Sequence, residues 1–388
     1  MLIKPIEQSF KVNYAYSLHF TKGIFDLKNS LLKDIICNKE TKRAVKLLFV
    51  IDQGLLDAWP QLIKEIETYG HAYGEDLTIT ECIICPGGEA AKNASKNVDK
   101  ILEGINRNAI CRHSFVITVG GGALIDMAGY AAAIAHRGVR LIRIPTTVLS
   151  QNDAAVGVKN GINAFKKKNF IGTFAVPHAI INDLAFLETL EQRDWIAGIS
   201  EAIKVALIKD ANFYNEIKSN AEKLKNRDEE AMLYTIYRCA EMHMEHIAKG
   251  GDPFESGSSR PLDFGHWAAH KLEDISNYSL RHGEAVAKGI ALDLTYAYLL
   301  SYITREVWTE IISVMQQIGF DLSLPISSKK EIQNLLEGIE EFREHLGGEL
   351  TITLIDRIGN KVDVHEIDLT LMEKAVNTLN EKVKIKVV

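Results

Sequence analysis

Long apolar runs, a positive net charge and a disulfide framework are all missing from this chain of 388 residues. No apolar run approaches the roughly 20 residues that a membrane span needs, and the N-terminal residues have no signal-peptide core, so we expect a cytoplasmic protein without a membrane partner. Five cysteines in a long chain indicate reduced thiols. A formal charge of −6 argues against nucleic acid as a partner, and any phosphate group must then be met by a local basic cluster.

Short β-rich runs alternate with helical stretches between residues 46 and 183. Residues 47–51, 115–119 and 141–144 have the composition of strands that are buried on both faces, and residues 14–20 are expected to add an edge strand. This alternation predicts an α/β region with a Rossmann-like parallel sheet. From residue 184 onwards helical patterns dominate, apart from a hairpin-like stretch at residues 349–355 and 361–364. We therefore predict an α/β domain at residues 1–183 and an all-helical domain at residues 184–388, with the active site in the cleft between them.

Two histidine motifs carry the strongest chemical signal. His266 and His270 are four residues apart in a helical pattern and therefore share one face, and His282 begins the next apolar helical run. Neutral imidazoles from two helices suit zinc or a similar divalent ion, although hydrogen-bonded core histidines give the same pattern. His243 and His246 are three apart in another helix. We interpret that pair as structural, because no carboxylate or glycine nearby in the sequence supports a metal role.

A glycine triplet, Gly120–Gly122, follows a predicted strand and precedes a predicted helix. Glycines at this place let the backbone approach a pyrophosphate at the helix N-terminus, so nucleotide binding is favoured over a plain turn. Asp52 ends an earlier strand, where a ribose-binding carboxylate is expected. Glu89 and Lys92 follow another glycine turn, and taken alone this charged pair indicates only helix-start electrostatics.

Basic and acidic residues follow in the middle of the chain. Arg137, Lys159, Lys168 and Asn169 can together surround a phosphate, although single lysines are more often solvated surface residues. Glu201 and Lys204 lie three apart on an apolar helix. They form an ordinary ion pair, or else Glu201 is the missing metal ligand and Lys204 contacts the substrate.

In this order and spacing, the motifs resemble those of dehydroquinate synthases and, more broadly, of the sugar phosphate cyclase superfamily. The resemblance runs from about residue 46 to residue 300 and implies a small sugar phosphate as substrate. It implies that the first domain binds NAD, that the second binds Zn²⁺ (or Co²⁺) and substrate, and that the protein is a homodimer in which Arg137 reaches the phosphate of a neighbouring subunit. The implied metal ligands are Glu201, His266 and His282. The implied NAD contacts are Asp52, Glu89, Lys92, Gly120, Gly121, Gly122, Asp126, Thr146, Thr147, Leu149, Thr189 and Leu190. The residues assigned to catalysis are Asp153, Lys159, Lys204, Asp263 and His270, and those assigned to the phosphate are Arg137, Lys159, Lys168 and Asn169.

Departures from the family pattern bear on the substrate. Ser259 and Asp263 stand where dehydroquinate synthases have an arginine, which binds the substrate carboxylate, and an asparagine; Arg260 is one residue out of register. A family lysine falls near Glu245, with Lys249 as a possible substitute. Because an unmatched carboxylate is costly in a buried cleft, we expect a neutral-ended substrate, sedoheptulose 7-phosphate, and a valiolone-type cyclitol product, as in 2-epi-valiolone synthase-like proteins. The alternatives are a 3-dehydroquinate synthase acting on 3-deoxy-D-arabino-heptulosonate 7-phosphate and a metal-dependent alcohol or glycerol dehydrogenase.

Overall fold

The computed structural model describes residues 5–37, 43–165, 167–250, 254, 262–326 and 328–384. Within these ranges, no helix combines the length and the apolar character that crossing a bilayer requires. The strands of the N-terminal half are β1 (Ser17–Thr21), β2 (Val45–Asp52), β3 (Leu77–Cys85), β4 (Phe115–Gly120), β5 (Arg140–Pro145), β6 (Lys159–Ala164), β7 (Lys167–Phe174) and β8 (Ala179–Asp183). The helices of this half are α1 (Leu31–Ile36), α2 (Gln53–Ala58), α3 (Leu62–Ala72), α4 (Ser95–Arg107) and α5 (Gly122–Ile134).

Six of these strands form one parallel sheet in the order β1-β8-β5-β4-β2-β3, and β6 and β7 form a separate antiparallel hairpin. The central strand β4 is buried along its whole length because helices cover both faces of the sheet. α1 and α3 pack on one face with Phe49 and Ile117, and α4 and α5 pack on the other with Val50 and Val116.

Within the described residues, the C-terminal half is helical apart from one hairpin and the connecting loops. Its helices are α6 (Gln192–Ala197), α7 (Ile199–Lys209), α8 (Ala211–Ser219), α9 (Ala221–Lys225), α10 (Glu229–Lys249), α11 (His266–Ile275), α12 (His282–Leu299), α13 (Arg305–Ile318), α14 (Lys329–His345) and α15 (Leu369–Lys384), and its strands are β9 (Ile352–Arg357) and β10 (Asn360–Val364). α7 and α12 are buried almost throughout, and the other helices pack around them in one apolar core.

The predicted fold class is confirmed: a Rossmann-like parallel sheet is followed by a helical region. The expected edge strand is β1, which pairs in parallel with β8, and the expected late hairpin is β9–β10. The division into domains at residues 183 and 184 remains our proposal.

Candidate active site

Two residues predicted to bind NAD lie at the topological switch point of the sheet. β2 and β4 are neighbours, but the chain runs from β2 to β3 on one side and from β4 to β5 on the other. Such a reversal leaves a crevice at the carboxyl ends of the two strands, where open α/β sheets bind their ligands. Asp52 ends β2 and Gly120 ends β4, so the two residues line the same crevice.

The glycine turn is packed too closely for larger residues. A Cβ on Gly120 would lie 2.9 Å from the Cβ of Asp52, and a Cβ on Gly122 would lie 2.8 Å from the Cβ of Ala154. α5 begins at Gly122, so its unpaired N–H groups and positive dipole end lie at the crevice. Burial raises the pKa of Asp52, although its carboxylate accepts a hydrogen bond of 2.8 Å from the Gly54 N–H. A glycine turn without side chains beside a helix N-terminus fits a dinucleotide pyrophosphate.

A buried lysine links three more of the predicted residues. Lys92 donates to Asp126 Oδ2 at 2.9 Å and also to Asn169 Oδ1, and Asn163 donates to Glu89 Oε1 at 2.9 Å. Burial acts to lower the pKa of Lys92, but the carboxylates of Asp126 and Glu89 outweigh it, so the pKa is raised and the ammonium stays charged. The side-chain oxygen of Asn169, which we assigned to the phosphate, is turned towards this network.

Residues that follow β5 lie at the same edge of the sheet. The Thr146 N–H donates to the Gly120 carbonyl at 3.1 Å, which ties the end of β5 to the glycine turn. The Thr147 hydroxyl lies 2.8 Å from the Ser150 hydroxyl. Leu149 is half-buried and directly precedes a single π-helical turn. The structure therefore brings Thr146, Thr147 and Leu149 close to the crevice.

Thr189 and Leu190 follow β8, after a short helical turn at Leu184–Thr189. The Thr189 hydroxyl donates to the Phe186 carbonyl at 2.7 Å, within its own turn. The Leu190 carbonyl accepts from Arg227 Nη1 at 2.7 Å. The Thr189 hydroxyl and the Leu190 carbonyl thus both have hydrogen-bond partners within the protein. The assignment of the two residues to NAD remains a prediction.

The three predicted metal ligands come together. Glu201 on α7, His266 on α11 and His282 on α12 each place one ligand atom within 4.8 Å of the other two. Glu201 is fully buried; its Oε2 forms an ion pair with Lys204, and its Oε1 accepts no hydrogen bond from the described residues. A buried carboxylate with free lone pairs beside two imidazoles is a donor set that fits Zn²⁺ or Co²⁺.

The two imidazoles present the same nitrogen to this cluster. His266 Nδ1 lies 3.2 Å from the Phe264 carbonyl, which can only accept, so Nδ1 carries the proton and Nε2 keeps its lone pair. His282 Nδ1 lies 3.3 Å from Glu273 Oε1, which leaves its Nε2 for the cluster in the same way. Burial, aided by Lys204, lowers the pKa of His266 well below its ordinary value. Burial acts to lower the pKa of His282 as well, but Glu273 outweighs it and the net shift is upward.

Close backbone contact holds α11 and α12 in place. Gly265, at φ +79°, precedes α11, and a Cβ on Gly289 of α12 would lie only 2.0 Å from the Gly265 carbonyl oxygen. The buried carboxylate of Asp293 accepts hydrogen bonds from the Gly265 N–H at 3.0 Å and from the Trp267 Nε1–H at 2.8 Å. These contacts place His266 at the first turn of α11.

Asp153 lies on the π-helical turn Ser150–Ala154, which buried side chains fix in place. Arg143 of β5 donates to the Ala155 carbonyl and to Asn160 Oδ1, each at 2.8 Å. Asn152 Nδ2 donates at 2.7 Å to the carbonyl that precedes α7. The turn therefore presents Asp153 from a fixed backbone to the helices that carry the predicted metal ligands.

Four basic groups surround the Asp153 carboxylate. Burial acts to raise its pKa, but His243, Lys204, His282 and Lys159 outweigh burial, so the pKa is lowered and Asp153 stays ionised at neutral pH. The structure thus places the charges of two predicted catalytic residues, Lys159 and Lys204, near Asp153, which is also predicted to be catalytic.

Lys204 is nearly buried and interacts with acidic groups. Burial acts to lower its pKa, but Glu201, Asp153 and Asp263 outweigh burial and raise it. Asp263 is half-buried before α11, and His270 is exposed one helical turn beyond His266, with their ring centroids 5.7 Å apart. Both lie beside the metal-ligand cluster.

Arg137 lies away from the glycine turn within a single chain. It is exposed in the helical turn after α5, beside Cys111 and Ile134. α5 has 13 residues, or about 20 Å at 1.5 Å per residue, so Arg137 lies that far from the glycine turn at the other end of the helix. The expectation that it contributes to a site from a second copy of the chain remains a prediction.

Two residues near the site were not assigned to it from the sequence. His243, which we interpreted as structural, is buried with Nδ1 2.9 Å from the Asn152 carbonyl and Nε2 3.4 Å from Asp153 Oδ1. Its carboxylate neighbour comes from another element, so the sequence around it carries no signal. Glu273 is buried on α11, where it contacts Lys168 and His282. It lies seven residues after His266, and that helical spacing could have indicated it.

The positions on which the substrate prediction depended are only partly described. Ser259 and Arg260 lie outside the described residues. Lys249, the other candidate, is 74% exposed and forms an ion pair of 2.9 Å with Glu245 on the surface of α10.

Two family models match consecutive parts of this chain. The model described as 3-dehydroquinate synthase N-terminal matches residues 82–197, and the model described as 3-dehydroquinate synthase C-terminal matches residues 198–341. A 3-dehydroquinate synthase from Buchnera aphidicola subsp. Baizongia pistaciae is 34% identical over 309 residues, which cover 78% of this chain and 84% of the relative.

Solved structures share the fold over nearly the whole length. A 2-epi-5-epi-valiolone synthase from Streptomyces hygroscopicus subsp. jinggangensis 5008, with NAD⁺ and Zn²⁺ bound, has a TM-score of 0.86 at 26% identity and covers 97% of this chain and 100% of its own. A 2-deoxy-scyllo-inosose synthase complexed with carbaglucose-6-phosphate, NAD⁺ and Co²⁺ has a TM-score of 0.74 at 20% identity and covers 94% of this chain and 96% of its own.

The predicted preference for sedoheptulose 7-phosphate is wrong. Relatives at 31–34% identity are 3-dehydroquinate synthases, whereas the valiolone synthase is 26% identical. The prediction depended on Ser259 in place of the carboxylate-binding arginine and on Asp263 in place of the asparagine. Ser259 lies outside the described residues, and the charge of Asp263 acts on a nearby cation, because it contributes to the raised pKa of Lys204. The family models, which meet end to end from residue 82 to residue 341, and the identity to these synthases show that the chain belongs to the 3-dehydroquinate synthase family.

Proposed function

We propose that this protein is a phosphate-eliminating carbon–oxygen lyase that converts 3-deoxy-D-arabino-heptulosonate 7-phosphate into 3-dehydroquinate, with NAD and Zn²⁺ or Co²⁺ as cofactors. Family membership and the activity in the names of its relatives support the reaction and the substrate. The observation that carries the chemistry is the convergence of Glu201, His266 and His282 beside Asp153 and Lys204.

Each cofactor has a set of residues that fits it. Glu201, His266 and His282 would hold the metal, and the crevice between Asp52 and the glycine turn would hold NAD, with Lys92 beside it. When bound, NAD supplies a temporary oxidant and the metal a Lewis acid, with no net change in redox state.

Asp153 is suited to hold a proton taken from a substrate hydroxyl. Its carboxylate is kept ionised by Lys159, Lys204 and the neighbouring histidines, and a carboxylate within hydrogen-bond reach of a hydroxyl is a general base. His270 is exposed beside the ring of His282, at a centroid distance of 6.1 Å, so its imidazole can exchange protons with a bound substrate and with solvent.

Lys159 and Lys168 would bind the phosphate that leaves. Both are lysines of the β6–β7 hairpin, and their positive charge stabilises a departing phosphate in a chain whose net charge is −6. We propose that Arg137 adds to this cluster from the second subunit of a homodimer, because within one chain it lies at the far end of α5. The substrate carboxylate would then be held by Arg260, which lies outside the described residues, or by Lys249.

The test is phosphate release by purified protein reconstituted with NAD and either Zn²⁺ or Co²⁺. We expect release from 3-deoxy-D-arabino-heptulosonate 7-phosphate, a cyclic product that NMR identifies as 3-dehydroquinate, and no accumulation of NADH. Glu201→Gln and His266→Ala should abolish release through loss of the metal, whereas His71→Ala, at an exposed histidine, should not.

Two results would overturn the proposal. Phosphate release from sedoheptulose 7-phosphate alone would contradict the substrate. NADH accumulation with simple alcohols, and no phosphate release from either sugar phosphate, would instead identify a dehydrogenase.

A further inference from the structure

One buried carboxylate joins the candidate metal site to the candidate phosphate site. Glu273 Oε1 lies 2.8 Å from Lys168 Nζ and 3.3 Å from His282 Nδ1. The side chain is 4% exposed, and its second oxygen, Oε2, accepts no hydrogen bond from the described residues. Glu273 therefore contacts one residue that we assign to the metal and one that we assign to the phosphate, and it belongs to neither set itself.

The contact with His282 decides which ring nitrogen faces the metal-ligand cluster. A carboxylate only accepts hydrogen bonds when ionised, so Nδ1 must be the protonated nitrogen and Nε2 the ligand atom. Metal-binding histidines commonly donate their second ring N–H to a carboxylate or a carbonyl, which fixes the ring orientation. His266 uses the Phe264 carbonyl for this purpose, and His282 uses Glu273.

The contact with Lys168 comes from a different part of the fold. Lys168 lies on β7, in the hairpin that follows the π-helical turn of Asp153, and Glu273 lies two helical turns after His266 on α11. One oxygen thus holds the β6–β7 hairpin against the helix that carries a metal ligand. This hairpin also carries Lys159 and the Asn169 that contacts Lys92.

We infer that Glu273 is a positioning residue whose carboxylate orients His282 towards the metal and at the same time holds Lys168 beside the metal site. The inference rests on the proposed function in treating His282 as a metal ligand. In this role Glu273 acts through its two neighbours.

An ordinary ion pair on the same helix shows what a purely structural role looks like. Lys271 pairs with Glu341 of α14 at 2.6 Å, and this carboxylate is 61% exposed, so bulk water solvates it without further partners. Glu273 is buried instead, and burying a carboxylate is favourable only when hydrogen bonds or charges match it. Lys168 of β7 and His282 of α12 supply the charge and the hydrogen-bond donor that the buried carboxylate requires. These two elements carry the predicted phosphate and metal residues.

The test is zinc affinity in the absence of substrate, measured by competition with a chromogenic chelator. Glu273→Gln keeps the volume but removes the charge, and we expect zinc affinity to fall about 10- to 100-fold, as it does when a carboxylate behind a ligating histidine is removed. Glu341→Gln, the matched control at the exposed carboxylate that pairs with Lys271, should keep wild-type affinity.

Lys168→Met separates orientation of the histidine from anchoring of the hairpin. This change removes the ion pair but leaves Glu273 against His282, so zinc affinity should remain within about threefold of wild type, well short of the loss that breaking the carboxylate–histidine contact causes. A loss equal to that of Glu273→Gln would show that the hairpin, and not the contact with His282, controls the metal site, and would overturn the inference. So would an unchanged zinc affinity in Glu273→Gln.

A measurement on the wild type covers the case in which Glu273→Gln does not fold. In zinc-loaded protein with ¹⁵N-labelled histidine, NMR should show His282 protonated at Nδ1 and ligated through Nε2; ligation through Nδ1 would overturn the inference. These readouts need no turnover. Failure of the enzyme to use 3-deoxy-D-arabino-heptulosonate 7-phosphate would therefore contradict the proposed substrate and leave the role of Glu273 to be decided by metal binding.

Discussion

Substituting Gly289 by alanine should disable the metal site without touching a ligand. Gly289 lies on α12 and faces the carbonyl of Gly265, directly before α11. The new Cβ would lie 2.0 Å from that oxygen and 2.9 Å from its carbon. Both atoms are backbone, so no side-chain rotation can relieve the clash.

The size of the effect follows from two lengths. The closest favourable carbon–oxygen contacts are about 3.3 Å, so the two helices must separate by about 1.3 Å at this point. Metal–ligand distances tolerate only about 0.2 Å, and His266 and His282 lie on the two separating helices. Overpacking costs about 1–3 kcal/mol, against a gain of about 1 kcal/mol from replacing a helical glycine by alanine. We therefore expect a modest loss of stability and a large loss of zinc affinity.

The assay compares zinc affinity by chelator competition with thermal unfolding of the metal-free protein. Gly104→Ala on α4 is the matched control, because its Cβ would meet the terminal Cδ1 of Ile83, which can rotate away, and not the backbone. It should keep wild-type zinc affinity. Wild-type affinity in Gly289→Ala would refute the argument that backbone contact between α11 and α12 sets the ligand geometry.

Two further predictions concern pH and assembly. Burial raises the pKa of Asp293 to about 7 from an ordinary 3.8. Between these two pH values the folded state binds a proton that the unfolded state has lost. The free energy of unfolding therefore falls by about 4 kcal/mol as the pH rises from the lower value to the higher one. In urea unfolding from pH 4 to pH 8, Asp293→Asn should lack this fall; parallel wild-type and variant profiles would contradict it. If Arg137 acts across a dimer, mixing and re-dimerising Arg137→Ala with Glu201→Gln should restore about a quarter of wild-type turnover, because half of the random dimers carry one intact site. No recovery in mixed dimers, confirmed by mass, would place Arg137 outside the site.

Local sequence determined the fold class and the positions of several site residues along the chain. Continuous apolar runs such as residues 47–51 can be stable only as strands covered on both faces, so a parallel sheet with flanking helices follows from their alternation with helical stretches. The glycine triplet after β4 indicated a nucleotide crevice, because both features are local. His266 and His282 were placed on two consecutive helices for the same reason.

Other features of the site depend on contacts between elements that are distant in the sequence. Asp153 meets His243 across 90 positions, and Lys168 meets Glu273 across 105, so no local pattern reveals either contact. The substrate preference was inferred from Ser259 and Asp263 by their places in the sequence, whereas the charge of Asp263 acts on Lys204 of α7, 59 positions away.

The sequence by itself determined which backbone segments become strands and helices, and which residue types could bind a metal or a nucleotide. Only the tertiary structure decided which carboxylate meets which cation and which imidazole nitrogen faces the metal-ligand cluster. Ring orientation, pKa and ligand geometry depend on atoms a few ångströms away in space, and packing of α7, α11 and α12 brings those atoms together.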